Sequence, residues 1–435
     1  MLDDSSLNQI YYATLQFDEP CAYENYLELG GYEAWQSILR GELSAEKIIE
    51  ELKASNLRGR GGAGFPVGIK WSFMPRSAPG QKYIVCNSDE SEPGTCKDRD
   101  LLMLNPHALI EGMAIGGFVM GATVGYNYLR GEFGDEVYRR CQQALTEAYE
   151  HGWLGRDILG SGIDFDLHNV LGAGAYICGE ETALLESLEG KKGLPRFKPP
   201  FPAQYGVYGR PTTVNNTETL ASVPTVLRRG GDWFAGLGVE NAGGTKIFSV
   251  SGHVERPGNF EVPMGTPFRD LLELAGGVRG GRELKAVIPG GSSVPVVPAA
   301  TMLDVNMDYD SVTKAGSMLG SGAVIVMDDG TDMVLALQRI SRFYMSESCG
   351  QCTPCREGTG WLYRMVTRVL RGEAVMDDLE RLEHAARRIE GRTICALGDA
   401  AAMPVRSFLK HFRPEFEHYI EHGRSILADR APEAA

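Results

Sequence analysis

The stretch KYIVCNSDESEPG, residues 82–94, decides the fold class of the central part of the chain. It begins as a short apolar run, typical of a buried strand, and ends in acidic and turn-forming residues. Further along, IDFDLHNV at 163–170 alternates apolar and polar residues like a half-buried strand, and ETALLESLEG at 181–190 has a helical pattern. This alternation over residues 71–235 predicts an α/β sandwich with ligand-binding loops at the strand ends.

Three carboxylates, Asp89, Glu90 and Glu92, follow the first of these strands directly. A solvated acidic loop would account for them. They would also suit a site that recognises sugar hydroxyls and an amide, because carboxylates accept hydrogen bonds from both groups. Since acids repel phosphate, we expect them to contact other parts of a ligand.

A glycine-rich segment, NLRGRGGAGFPVGIKWSF at 56–73, precedes that strand. Gly59, Gly61 and Gly64 match G-x-G-x-x-G by letter, but a helical pattern precedes them where a dinucleotide fingerprint requires a strand. The glycines still allow backbone N–H groups to approach a ligand closely, although a flexible surface turn is an alternative. The segment also supplies charges for a phosphate and flat faces for a ring system: Arg60, Lys70, Phe65 and Phe73.

Two further segments have the composition of ligand loops. In GAGAYICGEETALL, residues 172–185, glycines end a strand and a helix begins. Glu180 and Glu181 are expected in the first turn of that helix, where the helix dipole alone would favour acids. Residues 197–219 contain prolines and aromatics that predict a rigid wall, and two adjacent asparagines there can both donate and accept hydrogen bonds.

The chain divides into four regions, for which we expect the boundaries 1–70, 71–238, 239–330 and 331–435. The first is helical, with Ser44 as the N-cap of SAEKIIEELKASNL, and ends in the glycine-rich loop. The second carries the α/β pattern. The third contains a hairpin pattern, a helix with Pro267 at its first position and a further strand, which together indicate a small α+β domain. The fourth has four successive helical patterns.

Cysteine spacing points to a metal centre in the last region. Cys349, Cys352 and Cys355 lie three residues apart, and Cys395 follows far downstream. C-x-x-C-x-x-C with one remote cysteine is a known way to hold a [4Fe–4S] cluster. A four-cysteine zinc site and a coincidence of spacing are the alternatives, but zinc more often uses two separated C-x-x-C pairs. Pro354 is expected to keep Cys355 out of helical geometry.

Composition excludes some classes of protein. The formal net charge of −14 disfavours nucleic-acid binding, which depends on neutralising phosphates with Lys and Arg. The other five cysteines are scattered singly, so we expect a reducing cytosol rather than a disulfide scaffold. MLDDSSLNQI lacks the positive start of a signal peptide. Residues 112–129 are long enough to suggest a membrane span, but their glycines and alanines favour a buried helix. His418 and His422 lack an evident third ligand, which favours a solvated helix face.

The motifs RGRGGAGFPVGIKW, CNSDESEPGT, GAGAYICGEETAL, TTVNNTET and SCGQCTPCREG together resemble one family, the flavin-bearing NADH-oxidising subunit of bacterial respiratory complex I. The resemblance covers nearly the whole chain, and the motifs follow the family's order. It implies an FMN in an unusual Rossmann-like domain, a small ubiquitin-like β-grasp domain and a C-terminal helical bundle with a [4Fe–4S] cluster.

The resemblance also implies roles for individual residues. Those that match family residues around FMN are Gly59, Gly61, Lys70, Asn87, Asp89, Tyr176, Gly179, Glu180, Asn215, Asn216 and Thr219. Those that match residues around NADH are Gly62, Phe65, Phe73, Glu92, Glu181 and Phe201. Glu90 matches a carboxylate near the flavin and is our single catalytic candidate, as an electrostatic tuner. Cofactors of this kind carry the reaction themselves, while the protein orients the donor and the acceptor.

By the same resemblance, the expected partners are a thioredoxin-like [2Fe–2S] subunit and a large iron–sulfur subunit, without nucleic acid. The chain would be cytoplasmic, held on the cytoplasmic face of the inner membrane through the complex and not inserted into it. One alternative is an NAD-linked diaphorase subunit of a soluble hydrogenase or formate dehydrogenase. Another is a zinc-stabilised binding module without catalysis.

Overall fold

The structure of the protein, a computed structural model, describes residues 6–429. Residues 1–5 and 430–435 lie outside the described part, and with them half of the MLDDSSLNQI segment. The N-terminal region contains α1 (Tyr23–Glu28), α2 (Glu33–Leu39), α3 (Ala45–Ala54) and α4 (Val67–Ser72). The predicted cap is confirmed, because the Ser44 side chain accepts a hydrogen bond from Lys47 N at 3.2 Å.

A four-stranded parallel sheet forms the centre of the second region, in the order β3-β2-β1-β4. Its strands are β1 (Tyr83–Ser88), β2 (Val124–Leu129), β3 (Asp166–Leu171) and β4 (Thr212–Asn216). The helices that accompany it are α5 (Lys97–Leu104), α6 (Pro106–Met120), α7 (Gly134–Glu150), α8 (Glu181–Leu188), α9 (Thr217–Arg229) and α10 (Gly231–Gly236). The strand order reverses at β1, so the ends of β1 and β4 flank the crevice where open α/β sheets bind ligands.

The long apolar stretch at 112–129 is not one helix. It forms the end of α6, which is buried almost along its whole length, and then β2, with a turn at Gly121 between them. The small residues allow close packing, since a Cβ at Gly112 would lie 2.1 Å from the carbonyl oxygen of Leu220 in α9. Among the described helices, none alone has the length and apolarity to cross a membrane; α5 and α6 meet that test only as a pair bent by 97°.

A second, mixed sheet occupies the third region, in the order β6-β5-β9-β7-β8. Its strands are β5 (Thr245–Gly252), β6 (Gly258–Pro263), β7 (Leu284–Ile288), β8 (Val297–Pro298) and β9 (Ala323–Asp328), accompanied by α11 (Phe268–Leu274), α12 (Ala299–Met302) and α13 (Tyr309–Lys314). The predicted hairpin is the antiparallel pair β5 and β6, and β9 runs parallel to β5. The helix after the hairpin begins one residue later than predicted, because Pro267 is its N-cap.

Long helices make up the last region: α14 (Met333–Glu347), α15 (Thr353–Leu370), α16 (Met376–Ile389) and α17 (Leu397–His422). Their apolar faces share one core with side chains near the carboxyl edge of the first sheet, among them Ile177, Leu184 and Leu185. The helical region therefore packs directly on the part of the first sheet that was predicted to bind ligands. The predicted fold class is confirmed, while the three boundaries between the four regions stay predictions.

Candidate functional site

The predicted ligand residues of the second region lie along the carboxyl edge of the first sheet. Asn87 is near the end of β1, and its Nδ2 donates a hydrogen bond to the carbonyl of Gly179, 2.8 Å away. Asn215 and Asn216 end β4, the neighbouring strand. The segment after β3 and the ends of β1 and β4 therefore meet around one crevice.

The glycine-rich loop packs against the end of β4. An ideal Cβ at Gly61 would lie only 2.9 Å from the Asn216 Cβ, so this position has room for glycine alone. The preceding residue, Arg60, also fixes the loop, because its backbone N–H donates a hydrogen bond to Thr219 Oγ1 at 2.8 Å. Gly62 has a φ of +131°, which glycine adopts readily. A glycine-rich loop beside the start of α9 can offer backbone N–H groups to an anionic ligand group.

The side chain of Arg60 does not supply the phosphate charge that the sequence suggested. The guanidinium is fully buried away from the loop surface. Its Nη2 donates to the carbonyls of Gly243 at 2.7 Å and Thr245 at 3.0 Å, next to the second sheet. The alternation of glycines with an arginine carries no signal for that inward direction.

Lys70 approaches the crevice from α4. Its Nζ donates to the backbone carbonyl of Val214 in β4 at 2.5 Å, and burial lowers its pKa. The next residue, Trp71, donates from its indole to Asn215 Oδ1 at 3.2 Å. The helix after the glycine loop thus places a cation beside the last residues of β4, where an anionic ligand group can reach it.

The acids after β1 do not form a solvated loop. Glu90 is almost completely buried, and its two carboxylate oxygens accept hydrogen bonds from Asp98 N at 2.8 Å and Arg99 N at 3.0 Å at the start of α5. Burial, reinforced by the Asp98 carboxylate, raises the pKa of Glu90 to about 7. Burial also raises the pKa of Asp89 to about 6, although Ser91 Oγ donates to it at 2.6 Å.

Glu92 joins three regions of the chain. It accepts a hydrogen bond from the Tyr176 hydroxyl at 2.8 Å and another from Ser293 N, in the third region, at 2.8 Å. The backbone N–H of Tyr176 in turn donates to Glu347 in α14 at 3.2 Å. Burial raises the pKa of Glu92. No sequence pattern indicates this junction, because its members are distant along the chain.

Glu180 and Glu181 differ in position. Glu180 is the N-cap of α8 and not part of its first turn, since its carboxylate accepts from Thr182 N at 2.9 Å and Ala183 N at 3.0 Å. Glu181 is the first helical residue. Lys198 Nζ lies 3.1 Å from a Glu180 oxygen and 3.0 Å from a Glu181 oxygen. The cap accounts for Glu180, and Glu181 remains partly exposed.

Exposed aromatic rings border the glycine loop. Phe65 and Phe73 have ring centroids 6.1 Å apart and are 46% and 61% exposed. Phe201 is likewise exposed. Large apolar side chains left in solvent next to a polar crevice fit a flat ligand that would cover them.

The four predicted cysteine ligands lie around the ends of two helices. Cys349 and Cys352 precede α15, Cys355 lies in its first turn and Cys395 precedes α17. Pro354 therefore does not keep Cys355 out of the helix, since proline is tolerated in the first turn. Burial raises the pKa of both Cys355 and Cys395 to about 11, and the nearby Cys349 thiol adds to each shift.

These thiols are neighbours, but they do not enclose a single ion. In the described part of the chain, no set of three or more His, Cys, Asp or Glu side chains is arranged around one metal ion. A cubane cluster is larger than an ion and takes one thiolate on each of its irons, so it suits four thiols that are near one another without converging on a point. His418 packs on His422 with ring centroids 4.3 Å apart, and its Nε2 lies 3.0 Å from Asp429 Oδ2.

Behind the crevice lies a group of buried charged residues that the sequence analysis did not single out. It consists of Lys97, Asp98, Glu218 and Lys246, all at most 3% exposed. Lys97 and Asp98 come from the start of α5, Glu218 from the start of α9 and Lys246 from β5. In the sequence they resemble ordinary surface charges, and only the fold reveals that they are buried together.

Three family models match the chain: the Nuo51 FMN-binding domain over residues 52–225, the SLBB domain over 247–297 and the NADH-ubiquinone oxidoreductase-F iron-sulfur binding region over 335–419. The last match favours an iron–sulfur cluster over zinc. Among solved structures, an NAD⁺-reducing [NiFe]-hydrogenase in its H₂-reduced state matches with a TM-score of 0.79 and 35% identity over 89% of this chain. This chain spans 64% of that hydrogenase chain.

Curated relatives are more similar. The NADH-quinone oxidoreductase F subunit of Rickettsia bellii is 56% identical over 91% of this chain and 94% of its own length. The F subunit of Rickettsia felis is 57% identical over 88% of this chain and 90% of its own. With its FMN-binding and [4Fe–4S]-binding regions, the chain belongs to the family of the NADH-quinone oxidoreductase F subunit, the NADH dehydrogenase flavoprotein subunits.

Proposed function

We propose that this chain oxidises NADH at a bound FMN and delivers the electrons singly to a [4Fe–4S] cluster, as the electron-input subunit of an NADH-quinone oxidoreductase. The observation that carries the proposal is the glycine loop packed on Asn216 at the crevice between β1 and β4. When bound, FMN supplies the chemistry that links a two-electron donor to one-electron acceptors.

The flavin site is the crevice at the ends of β1 and β4. Gly59 and Gly61 admit the ligand, Lys70 offers a cation, and Thr219 fixes the loop through the Arg60 N–H. The remaining proposed contacts are Asn87, Asp89, Tyr176, Gly179, Glu180, Asn215 and Asn216. The carboxamides among them can both donate and accept, as a polyhydroxylated chain and a flavin ring edge require.

The NADH site lies on the exposed side of the glycine loop. Phe65 and Phe73 hold the adenine end by stacking. Gly62 and the exposed Phe201 are the further proposed contacts of NADH. The Tyr176 hydroxyl fixes the Glu92 carboxylate, which accepts hydrogen bonds from the bound NADH. Glu181 disfavours a 2′-phosphate, because its carboxylate repels that anion.

Glu90 tunes the site without acting on NADH directly. Two backbone N–H groups at the start of α5 fix its carboxylate, so its charge has a constant position. A pKa of about 7 lets it hold a proton, or release one, at neutral pH. Its protonation therefore changes the charge that the crevice presents to a flavin.

The cluster ligands are Cys349, Cys352, Cys355 and Cys395. Their thiols lose protons when a cluster is loaded, since thiolates are the ligands. Glu347, two residues before Cys349, accepts a hydrogen bond from the backbone N–H of Tyr176, which links the start of the cysteine motif to the crevice.

The curated relatives are subunits of a multisubunit enzyme. For the partners we propose a thioredoxin-like [2Fe–2S] subunit and a large iron–sulfur subunit, with the chain on the cytoplasmic face of the inner membrane. We also propose that residues 71–238 act as the flavin and NADH unit, 239–330 as the β-grasp unit and 331–435 as the cluster unit, after an N-terminal segment at 1–70. The diaphorase alternative is less favoured, because the hydrogenase match is 35% identical and the Rickettsia bellii relative is 56% identical.

The test is NADH:ferricyanide activity of the isolated full-length chain, together with FMN and iron analysis. We expect one FMN and four irons per chain. The turnover rate should depend on the presence of both NADH and ferricyanide. A preparation that stays free of flavin and iron after anaerobic reconstitution, and is inert toward NADH, would contradict the proposal.

A further inference from the structure

The buried charges behind the crevice converge on the Asn216 carboxamide. Asn216 Nδ2 donates to Asp98 Oδ2 at 2.6 Å. Asn216 Oδ1 accepts from Glu218 N at 3.1 Å and lies 3.4 Å from Lys97 Nζ. These contacts fix which end of the carboxamide carries the oxygen, and they leave a second Nδ2–H for a ligand.

Lys97 is the centre of this group. Its Nζ lies 2.7 Å from Asp98 Oδ1 and 2.8 Å from Glu218 Oε2, and its side chain is 1% exposed. Lys246 meets the same Glu218 oxygen from the second sheet at 3.2 Å. Burial opposes ionisation of Glu218, but Lys246, Lys97 and Arg60 together hold its pKa below the ordinary value, so the carboxylate is ionised.

A buried ion network of this kind is a poor source of stability. Removing several charges from water costs free energy that their mutual attraction only partly offsets, and apolar residues of similar volume often serve as well. A role in arranging the site accounts better for the fully buried Lys97 than a contribution to stability does. The contact with Asn216 supplies that role.

The arrangement reaches the glycine loop and Glu90 by direct contacts. Gly61 lies against the Cβ of Asn216 with no space for a side chain, so the glycine loop rests on the residue whose carboxamide Lys97 and Asp98 hold. Asp98 N also donates to Glu90. The start of α5 therefore fixes both Asn216 and Glu90.

We propose that Lys97 and Asp98 are positioning residues of the flavin site, which hold the Asn216 carboxamide in one orientation under the glycine loop and thereby set the affinity and reduction potential of the bound flavin. This inference rests on the proposed function. It assigns the effect to two residues that touch Asn216 and not to the nearby Lys246.

The test compares full-length variants by three measurements: the FMN dissociation constant, the midpoint potential of the bound flavin and the thermal unfolding temperature. Lys97→Met should weaken FMN binding about tenfold, the equivalent of one lost hydrogen bond to a charged group. Its midpoint potential should fall, because the Asn216 Nδ2–H is no longer held in the orientation in which it can donate to the reduced flavin. Asp98→Asn should weaken binding in the same direction.

A matched variant of the second buried lysine separates positioning from charge balance. Lys246→Met removes an equally buried cation from the same carboxylate, but Lys246 makes its contact with Glu218 and not with Asn216. This variant should lower the unfolding temperature while FMN affinity stays within about twofold of wild type. A Lys246→Met variant that loses FMN as strongly as Lys97→Met would overturn the inference.

The double variant Lys97→Met/Glu218→Gln removes one charge of each sign. It should recover stability relative to Lys97→Met while keeping the weaker FMN binding and the lower potential, since the contact with Asn216 is still missing. Wild-type affinity and potential in the double variant would overturn the inference. If Lys97→Met does not fold, the FMN affinity and potential of the double variant and of Asp98→Asn test the inference instead. A wild-type chain that binds no FMN would overturn the proposed function itself.

Discussion

At the scale of single residues, Cys395 is the most informative position of the cluster site, because it lies beside a different helix from the other three cysteines. Cys395→Ala should abolish or convert the EPR signal of the reduced cluster and lower the iron content. Cys21→Ala is the matched control, since Cys21 is also a half-buried free thiol. An unchanged cubane spectrum in Cys395→Ala would refute the assignment.

Glu181 is expected to set the preference for NADH. Its carboxylate pairs with Lys198 at 3.0 Å, so Glu181→Gln removes a repulsive charge and leaves Lys198 with one carboxylate, that of Glu180, instead of two. The ratio of kcat/KM for NADPH to that for NADH should rise, by about tenfold for an interaction of ~1.4 kcal/mol. Adding Lys198→Met should remove part of that gain. If Glu181→Gln leaves the ratio untouched, the idea fails.

Single residues also show what a sequence can and cannot predict. The cysteine spacing was sufficient to nominate four thiols that the fold brings near one another, because the motif itself encodes the ligand set. The buried positions of the Arg60 and Lys97 side chains could not be predicted, since the direction of a side chain depends on packing between distant segments.

At the scale of elements, the glycine loop depends on its contact with β4. Gly61→Ala would place a Cβ 2.9 Å from the Asn216 Cβ, so the loop or the strand must move. We expect less FMN per chain and a loss of about 1–3 kcal/mol in the free energy of unfolding, as for other overpacked sites. Gly236→Ala is the control, because a Cβ there meets no atom within 4 Å. Normal FMN content in Gly61→Ala would contradict the proposed position of the loop.

Elements were predictable where their pattern is local. The strand at 82–87, the hairpin of β5 and β6 and the C-terminal helices follow from periodicity and turn residues. The two elements within residues 112–129 were not predictable, because a buried helix and a buried strand are both continuously apolar. Only the turn at Gly121 separates them.

At the scale of the whole molecule, buried carboxylates connect regions that are distant in sequence. Glu92, in the second region, is linked to the third region through Ser293 and to α14 through Tyr176. Glu261 in β6 accepts hydrogen bonds from the N-terminal segment, at Ile10 N (2.8 Å) and Tyr12 N (2.9 Å). Such links depend on the tertiary fold, which explains why no sequence pattern indicated them.

Glu261 should make the stability of the whole chain depend on pH. Burial outweighs its hydrogen bonds and raises its pKa to about 7. Between about pH 5 and pH 7 the folded chain therefore holds a proton that the unfolded chain has released, so the free energy of unfolding falls as the pH rises. The loss is on the order of 1–3 kcal/mol, from the shift between the two states. Thermal unfolding at a series of pH values measures it.

The Glu261→Gln variant isolates this contribution, because Gln cannot ionise. It should be less stable than wild type at about pH 5, since one amide nitrogen faces backbone donors, but it should lose less stability between about pH 5 and pH 7. Glu240→Gln, at an exposed position, should keep the wild-type dependence. Because Glu261 binds the N-terminal segment to the second sheet and lies outside the proposed flavin site, the effect should be the same with and without FMN. An identical pH dependence in Glu261→Gln and wild type would show that this carboxyl does not titrate on folding.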